Sequence, residues 1–317
     1  MLAWVDGNRY EPSTPTMTTQ DPARPAVAAG PPANAPVGTL AAYRLLRSLG
    51  KGGMGEVFLA LAPDGSTVAL KAFLINDDDD GLVAQAFVRE ASVGHRLQHP
   101  DIVKVLDSGT QGRYAYLAME FVPGHDLRAH TQPGRLLPLH TVLATVQRVA
   151  RALAAAHELH VVHRDIKPAN VLVDGPTDTV KVTDFGLARL GDAFRSRTGI
   201  IAGTPSYMSP EQLAEMSIGP RSDLYALGVL LFELLTGRLP HEGRSLGELL
   251  TQVANRPAPR VSTLRAGLPP ALTQLVADLL EKRPERRPPD ALTVADRLAA
   301  VQAALSPAEA SGPKSRG

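Results

Sequence analysis

His163-Arg164-Asp165-Ile166-Lys167-Pro168-Ala169-Asn170 is the strongest local signal in the chain, and the rest is read outward from it. Asp165 can accept the proton of a substrate hydroxyl, or orient that hydroxyl for in-line attack. Lys167 places a cation where negative charge develops on the group being transferred. Asn170, five residues past the aspartate, offers a neutral oxygen to Mg²⁺, a hard cation that prefers oxygen ligands. None of these residues is diagnostic alone; the octet carries the meaning as a unit.

Downstream, Leu172 is placed to form an apolar floor under an adenine, and residues 180–182 read as a strand. Asp184-Phe185-Gly186 follows that strand. There Asp184 can bridge a metal to the β- and γ-phosphates, Phe185 can pack beneath a helix, and Gly186 lets the backbone turn over. Upstream, Leu49-Gly50-Lys51-Gly52-Gly53-Met54-Gly55-Glu56-Val57 contains G-x-G-x-x-G-x-V. In a dinucleotide fold such glycines join a strand to a helix. Here strand-like residues flank both sides, so the glycines cap a hairpin whose backbone can close over phosphates. Val68-Ala69-Leu70-Lys71 sets a lysine in an apolar strand, where an unpaired ammonium costs several kcal/mol. Glu90, on the helix that follows, is the expected partner, and the pair would hold Lys71 against the α- and β-phosphates.

The pattern changes twice along the chain. Residues 1–38, rich in Pro, Ala, Thr and Gly, cannot bury enough apolar surface to order themselves and are read as a disordered tail. Residues 43–122 alternate strand-like runs (43–49, 56–61, 67–73, 103–108, 114–120) with turns and one helix over 82–97. From Pro138 the periodicity is mostly helical, as in Leu143, Val146, Val149, Ala150, Leu153 and Ala154. The expected fold is therefore α+β and two-lobed: a small mainly-β lobe over 43–122 with one helix, and a larger mainly-α lobe over 125–300. The hinge falls near 121–124, and 306–317 reads as a second loose tail. Gly94, inside the predicted helix, costs about 1 kcal/mol against alanine and has no account from sequence.

Composition narrows the function classes. The chain has 317 residues, and Lys+Arg 33 against Asp+Glu 32 leaves a formal charge of +1, with no clustered basic excess for nucleic acid. The absence of cysteine removes disulfides, thiolate metal sites and a cysteine nucleophile together. The most apolar run, 224–235, is shorter than the roughly 20 residues of a membrane span and carries Glu233. No basic-then-apolar leader opens the chain, so a cytoplasmic protein off the membrane is the default reading. His157, His160 and His163 lie three apart, but His163 belongs to the octet, and packing accounts for it better than a metal.

In order and spacing these elements resemble the eukaryotic-type protein kinase signature set: glycine-rich loop, strand lysine, H-R-D loop, D-F-G and a closing Pro-Glu. Gly203-Thr204-Pro205-Ser206-Tyr207-Met208-Ser209-Pro210-Glu211 matches the end of an activation segment, with Ser209 where the family usually has alanine. Ser222-Asp223-Leu224-Tyr225-Ala226-Leu227-Gly228 resembles the helix whose aspartate braces the catalytic loop, and Arg287 sits where the family's arginine pairs with Glu211. The style of Gly-Lys-Gly-Gly-Met-Gly-Glu-Val is similar to bacterial Ser/Thr kinases. The resemblance implies ATP with Mg²⁺, or Mn²⁺ as the alternative, and protein substrates. It also implies that Glu120 and Val122 meet adenine through their backbone beside Met119, that Val57 and Ala69 form the roof, and that Asp126 accepts a ribose hydroxyl or caps a helix. Lys167 and Thr204 favour serine/threonine over tyrosine. Arg164 implies a gripped phosphate in the activation segment, expected at Thr198 and secondarily Ser196, with a homodimer for reaction in trans.

Two other classes compete with this reading. A scaffold without chemistry would show damage at Lys71, Asp165, Asn170 or Asp184, and all four are intact. A small-molecule phosphotransferase would lack the Pro-Glu ending and the Thr204 region, and both are present.

Overall fold

The computed structural model describes residues 37–52, 55–75, 87, 91, 93–185 and 205–305. Expectations for Gly53, Glu90, Gly186, Ser196, Thr198, Thr204, most of the 1–38 tail and the 306–317 tail lie outside them.

Among the described residues nine strands form two sheets. In the first, β1 (Gly38–Leu40), β2 (Tyr43–Gly52), β3 (Gly55–Leu61), β4 (Thr67–Leu74), β5 (Val105–Gln111) and β6 (Tyr114–Glu120) run in the order β1-β2-β3-β4-β6-β5, antiparallel throughout. The alternation of β4 shows why. Val68, Leu70 and Ala72 point to one face and join Leu40, Tyr43, Ala60, Tyr116 and Ala118 in one apolar cluster. Ala69, Lys71 and Phe73 point to the other. There Phe73 packs with Phe87, Ala91, Val103, Leu117 and Met119, so the helix bearing Phe87 and Ala91 covers this face.

That helix explains Gly94. A methyl group added there would stand 2.8 Å from Val105 Cγ2 of β5, so the helix lies too close to the sheet for a side chain. Close packing outweighs the propensity lost to glycine.

Two boundaries differ from the sequence reading. Residues 38–40 belong to the sheet: β1 pairs with β2 and Leu40 is buried, because an apolar residue three positions before Tyr43 still finds the core. β5 begins at Val105, since the preceding backbone is spent on the other lobe. The Val103 N–H donates to the Val182 carbonyl at 2.9 Å, and the Val182 N–H to the Asp101 carbonyl at 2.8 Å.

Residues 121–124 join β6 to the second sheet, where β7 (His125–Asp126), β8 (Val171–Asp174) and β9 (Thr179–Val182) run in the order β7-β8-β9. The rest is helical: α1 (Leu139–Glu158), α2 (Pro210–Leu213), α3 (Pro220–Thr236), α4 (Leu246–Asn255), α5 (Val261–Leu264), α6 (Pro270–Leu279) and α7 (Ala291–Leu305). Along α1, Val142, Leu143, Val146, Val149, Ala150 and Leu153 recur at helical spacing, and all are fully buried against α3 and α7. α3 is buried on every side from Ser222 to Leu235, as its continuous apolar composition requires. Each such Leu or Val stabilises the fold by about 1.5–3 kcal/mol relative to exposure.

Candidate active site

The two sheets face each other across a cleft bridged by Lys71 with Asp184 and by Glu120 with Lys181. Val122 from the hinge, Ala69 from β4 and Leu172 from β8 all pack, half-buried, on the cluster containing Met119. Val57 stands beside them in register with Lys71. Leu49 is exposed, and side chains added at Gly50 or Gly52 would meet nothing within 4 Å. Gly55 differs: its φ is +130°, and a methyl group there would fall 2.1 Å from the Ala72 carbonyl oxygen. Gly50 and Gly52 leave space over the cleft, whereas Gly55 lets β3 close on β4.

Lys71 is buried, and its Nζ lies 2.8 Å from Asp184 Oδ1. The ammonium in the apolar strand is thus paired across the cleft to the residue expected to hold metal. Burial pushes the Asp184 carboxyl up. The charge and hydrogen bond of Lys71, with the charges of His163 and Lys167, outweigh that and hold it below the usual carboxylate range.

Asp165 is held from two sides. Lys167 Nζ stands 2.7 Å from its Oδ2 and 3.0 Å from its Oδ1. Asn170 Nδ2 donates to the Asp165 carbonyl at 2.7 Å and to its Oδ2 at 3.0 Å. With its amide nitrogen so engaged, Asn170 keeps Oδ1 as the face for a ligand. Asn170 Oδ1 and the Asp184 carboxylate are oxygen donors of the kind a hard divalent cation takes, and their backbones are near neighbours, the Thr183 N–H donating to the Asn170 carbonyl at 3.0 Å.

The loop under Asp165 is braced from the core. Asp223, buried in the first turn of α3, accepts from the His163 N–H at 2.8 Å, the Arg164 N–H at 2.7 Å and His157 Nε2 at 2.8 Å. His163 Nε2 donates to the Thr183 carbonyl at 2.9 Å, and its Nδ1 accepts from the Asp165 N–H at 3.2 Å. Its ring meets Phe185 edge-on at 4.5 Å. Arg164 (φ +67°) and Asp184 (φ +66°) both occupy the left-handed region, which such side chains hold only under restraint from their surroundings. His157, near the end of α1, and His163, in the loop itself, therefore both serve hydrogen bonds that hold the loop in place, and the described residues contain no group of three or more His, Cys, Asp or Glu that could hold a metal ion.

Glu211 and Arg287 meet in the core. Arg287 Nη1 lies 2.6 Å from Glu211 Oε1, and Nη2 lies 2.8 Å from Oε2. Ser209 caps α2, forming a capping box with Gln212. The serine that departs from the family's alanine thus has a local job. Asp126 caps the short 3₁₀ turn Leu127–His130, and Arg128 engages both of its carboxylate oxygens. Of its two readings, the cap is present here.

Sequence reasoning missed several contacts. Glu120 Oε1 at the hinge accepts from Lys181 Nζ at 2.6 Å and from the Lys104 N–H at 2.8 Å. Arg148 of α1 holds buried Asp101. Tyr207 donates to Glu233 at 2.6 Å, which explains a carboxyl in the most apolar helix. Burial drives the Glu233 carboxyl up, against the Tyr207 bond. Only Ser209–Gln212 carried a readable signal, the S-x-x-Q capping pattern; the others join residues far apart in the chain.

Comparison with known proteins agrees with this arrangement. The chain is 38% identical over 278 residues to serine/threonine-protein kinase pkn2 of Myxococcus xanthus, covering 83% of this chain and 33% of that protein. It is 39% identical over 274 residues to pkn3 of the same organism, covering 82% and 50%. With PknL of Mycobacterium tuberculosis it shares 36% over 266 residues, covering 83% and 66%. The chain thus spans about a third to a half of the length of the Myxococcus relatives. A model of the protein kinase domain matches residues 43–298, from the start of β2 into α7. A match running through both lobes and every cleft residue described above means that the chain belongs to the protein kinase family.

Proposed function

We propose that this chain is a serine/threonine protein kinase, transferring the γ-phosphoryl of ATP to hydroxyls of protein substrates. The observation that carries the reading is the pairing of Lys71 with Asp184 opposite an Asp165 held by Lys167 and Asn170. Asp165 receives the hydroxyl's proton or fixes its direction of attack. Lys167, already on that carboxylate, swings only a short way to face the charge developing on the transferred group. Lys71 binds the α- and β-phosphates. Adenine sits between Ala69 and Val57 above and Leu172 below, bonding the hinge backbone at Glu120 and Val122, with Met119 behind it. Mg²⁺, with Mn²⁺ as the alternative, would be held by Asn170 and Asp184, and it supplies charge neutralisation on the phosphates. Asp126 could take a ribose hydroxyl through lone pairs that Arg128 leaves over.

Serine/threonine choice is supported by Lys167 and by the names of the relatives. Activation by autophosphorylation at Thr198, with Ser196 second, is supported by the position of Arg164 beside Asp165, and a homodimer would allow the reaction in trans. The balanced formal charge of +1 favours a protein over a nucleic-acid partner. Among the described residues no helix is long and apolar enough to cross a membrane.

The test is labelled ATP with Mg²⁺ and a generic acceptor protein, followed by phosphoamino-acid analysis and phosphopeptide mapping. Label on serine or threonine of the acceptor, and on Thr198 of the enzyme, is the expected result. Label on tyrosine alone would overturn the substrate class, and active enzyme unmodified at both Thr198 and Ser196 would remove the autophosphorylation.

A further inference from the structure

We infer that Gln212 is a positioning residue for the transfer loop, fixing the peptide that joins Arg164 to Asp165. The inference rests on the proposed role of Asp165. Gln212 Nε2 donates to the Arg164 carbonyl at 2.9 Å. The N–H of that same peptide, on Asp165, donates to His163 Nδ1 at 3.2 Å, and the Arg164 N–H one step earlier donates to Asp223. Arg164 stands at φ +67°, so this peptide is held in a conformation that arginine does not adopt unaided. Its N–H is restrained by His163, and the peptide before it is held from the core by Asp223. Its carbonyl side is restrained by Gln212.

The direction of the Gln212 amide follows from its other bonds. The Ser209 backbone N–H, which can only donate, lies 3.1 Å from Oε1, so Oε1 is the acceptor and the NH₂ faces the Arg164 carbonyl. The Ser209 hydroxyl adds a second donor to Oε1 at 3.1 Å. Gln212 is anchored in turn through its neighbour Glu211, which Arg287 and Ser222 clamp to the core. The residue that closes the substrate-side segment therefore reaches the backbone immediately before Asp165. A displacement of Ser209–Gln212 is transmitted to the direction of the Asp165 carboxylate.

The test uses the full chain with Gln212→Leu and Gln212→Glu, reading kcat, KM for ATP, and amide hydrogen exchange at Arg164 and Asp165. Losing one hydrogen bond to a restrained peptide lowers kcat by about tenfold and speeds exchange at these amides by a similar factor. KM for ATP stays within about twofold, because Gln212 touches neither Lys71 nor the hinge. Gln212→Glu keeps the shape and both Ser209 bonds but lacks the donor; its kcat deficit narrows as the pH falls toward about 5, where a protonated carboxyl donates again. A Leu variant with parental kcat, or one losing ATP affinity in step with kcat, overturns the inference. If Gln212→Leu does not fold, the pH profile of Gln212→Glu decides in the same sense: a narrowing deficit upholds the role, and a deficit that is absent or unchanging with pH overturns it. If the parental chain transfers no phosphoryl group, the kinase reading falls separately. Exchange then decides alone: faster at Arg164 and Asp165 upholds the positioning, and unchanged overturns it.

Discussion

Replacing Arg287 by methionine removes a cation whose side chain is fully buried and whose five N–H groups are all used. Nη1 serves Glu211 Oε1 at 2.6 Å and the Arg221 carbonyl at 2.8 Å; Nη2 serves Glu211 Oε2 at 2.8 Å and the Lys282 carbonyl at 3.0 Å. Nε serves the Glu281 carbonyl at 2.8 Å, and the guanidinium lies over the Tyr225 ring at 5.0 Å. Methionine fills much of the volume, so the loss is chiefly electrostatic. It strands a buried carboxylate that keeps the Ser222 hydroxyl and a backbone N–H as donors, and it removes a donor from three carbonyls. Breaking one side of a buried pair costs about 3–5 kcal/mol, which for a domain of this size lowers Tm by roughly 6–20 °C. The loss has a pH signature. Burial pushes the Glu211 carboxyl up, but the bonds and charge of Arg287, with the Ser222 bond, hold it below its ordinary 4.5 in the parent. The parental pair therefore contributes fully above that value and is lost as the pH falls through the lower folded one. In Arg287→Met the burial effect goes largely unopposed, so the penalty is full at neutral pH and relieved as Glu211 takes a proton. The gap between the two proteins, read by urea unfolding from pH 7 to pH 4, should narrow toward acid. Adding Glu211→Leu should recover part of the loss. A single variant within about 1 kcal/mol of the parent at pH 7, or a gap independent of pH, would refute the reasoning.

Three further outcomes follow from the geometry. Gly94→Ala should destabilise by about 1 kcal/mol, because overpacking against Val105 exceeds the helix-propensity gain, yet stabilise by about 1 kcal/mol in a Val105→Ala background; thermal melts that show the same sign in both backgrounds would count against it. Gly55→Ala should lower stability by more than about 2 kcal/mol, whereas Gly50→Ala should leave stability within about 0.5 kcal/mol and change only nucleotide affinity; calorimetric melts with nucleotide titration separate the two. Burial, with the charges of Lys282 and Arg256, pulls His241 from its ordinary 6.5 down to about 4. Its contribution, up to about 3 kcal/mol, is therefore complete above pH 6.5 and lost as the pH falls through 4, and His241→Phe should flatten that stretch of the stability curve.

The sequence carried the chemistry further than the packing. The octet 163–170, Lys71 and Asp184 lie far apart in the chain, yet each occupies the element its local pattern called for: Lys71 by the two-residue alternation of β4, Asp184 just past the end of β9. Residues 121–124, expected to form the hinge, lie between β6 and β7. What stayed hidden depends on distances between elements. Gly94 is intelligible only once β5 lies against its helix, and the cross-cleft partner of Lys71 in the described residues is Asp184, from 113 residues away. Asp126, read first as a ribose ligand and second as a cap, does cap the turn Leu127–His130 and is engaged by Arg128. The late start of β5 came from inter-lobe hydrogen bonds at Val103, which no local pattern reports.

The central claim is that Asp165 acts on the accepting hydroxyl while the rest of the cleft holds nucleotide. The direct measurement pairs nucleotide affinity with single-turnover phosphoryl transfer in the parent and in Asp165→Asn, which keeps size and shape. Nucleotide affinity should stay within about threefold, since among the described residues Asp165 bonds Lys167, Asn170 and its own loop, while transfer falls by about 10²–10⁴-fold. Transfer at the parental rate in Asp165→Asn would contradict the account and move the chemistry to another residue.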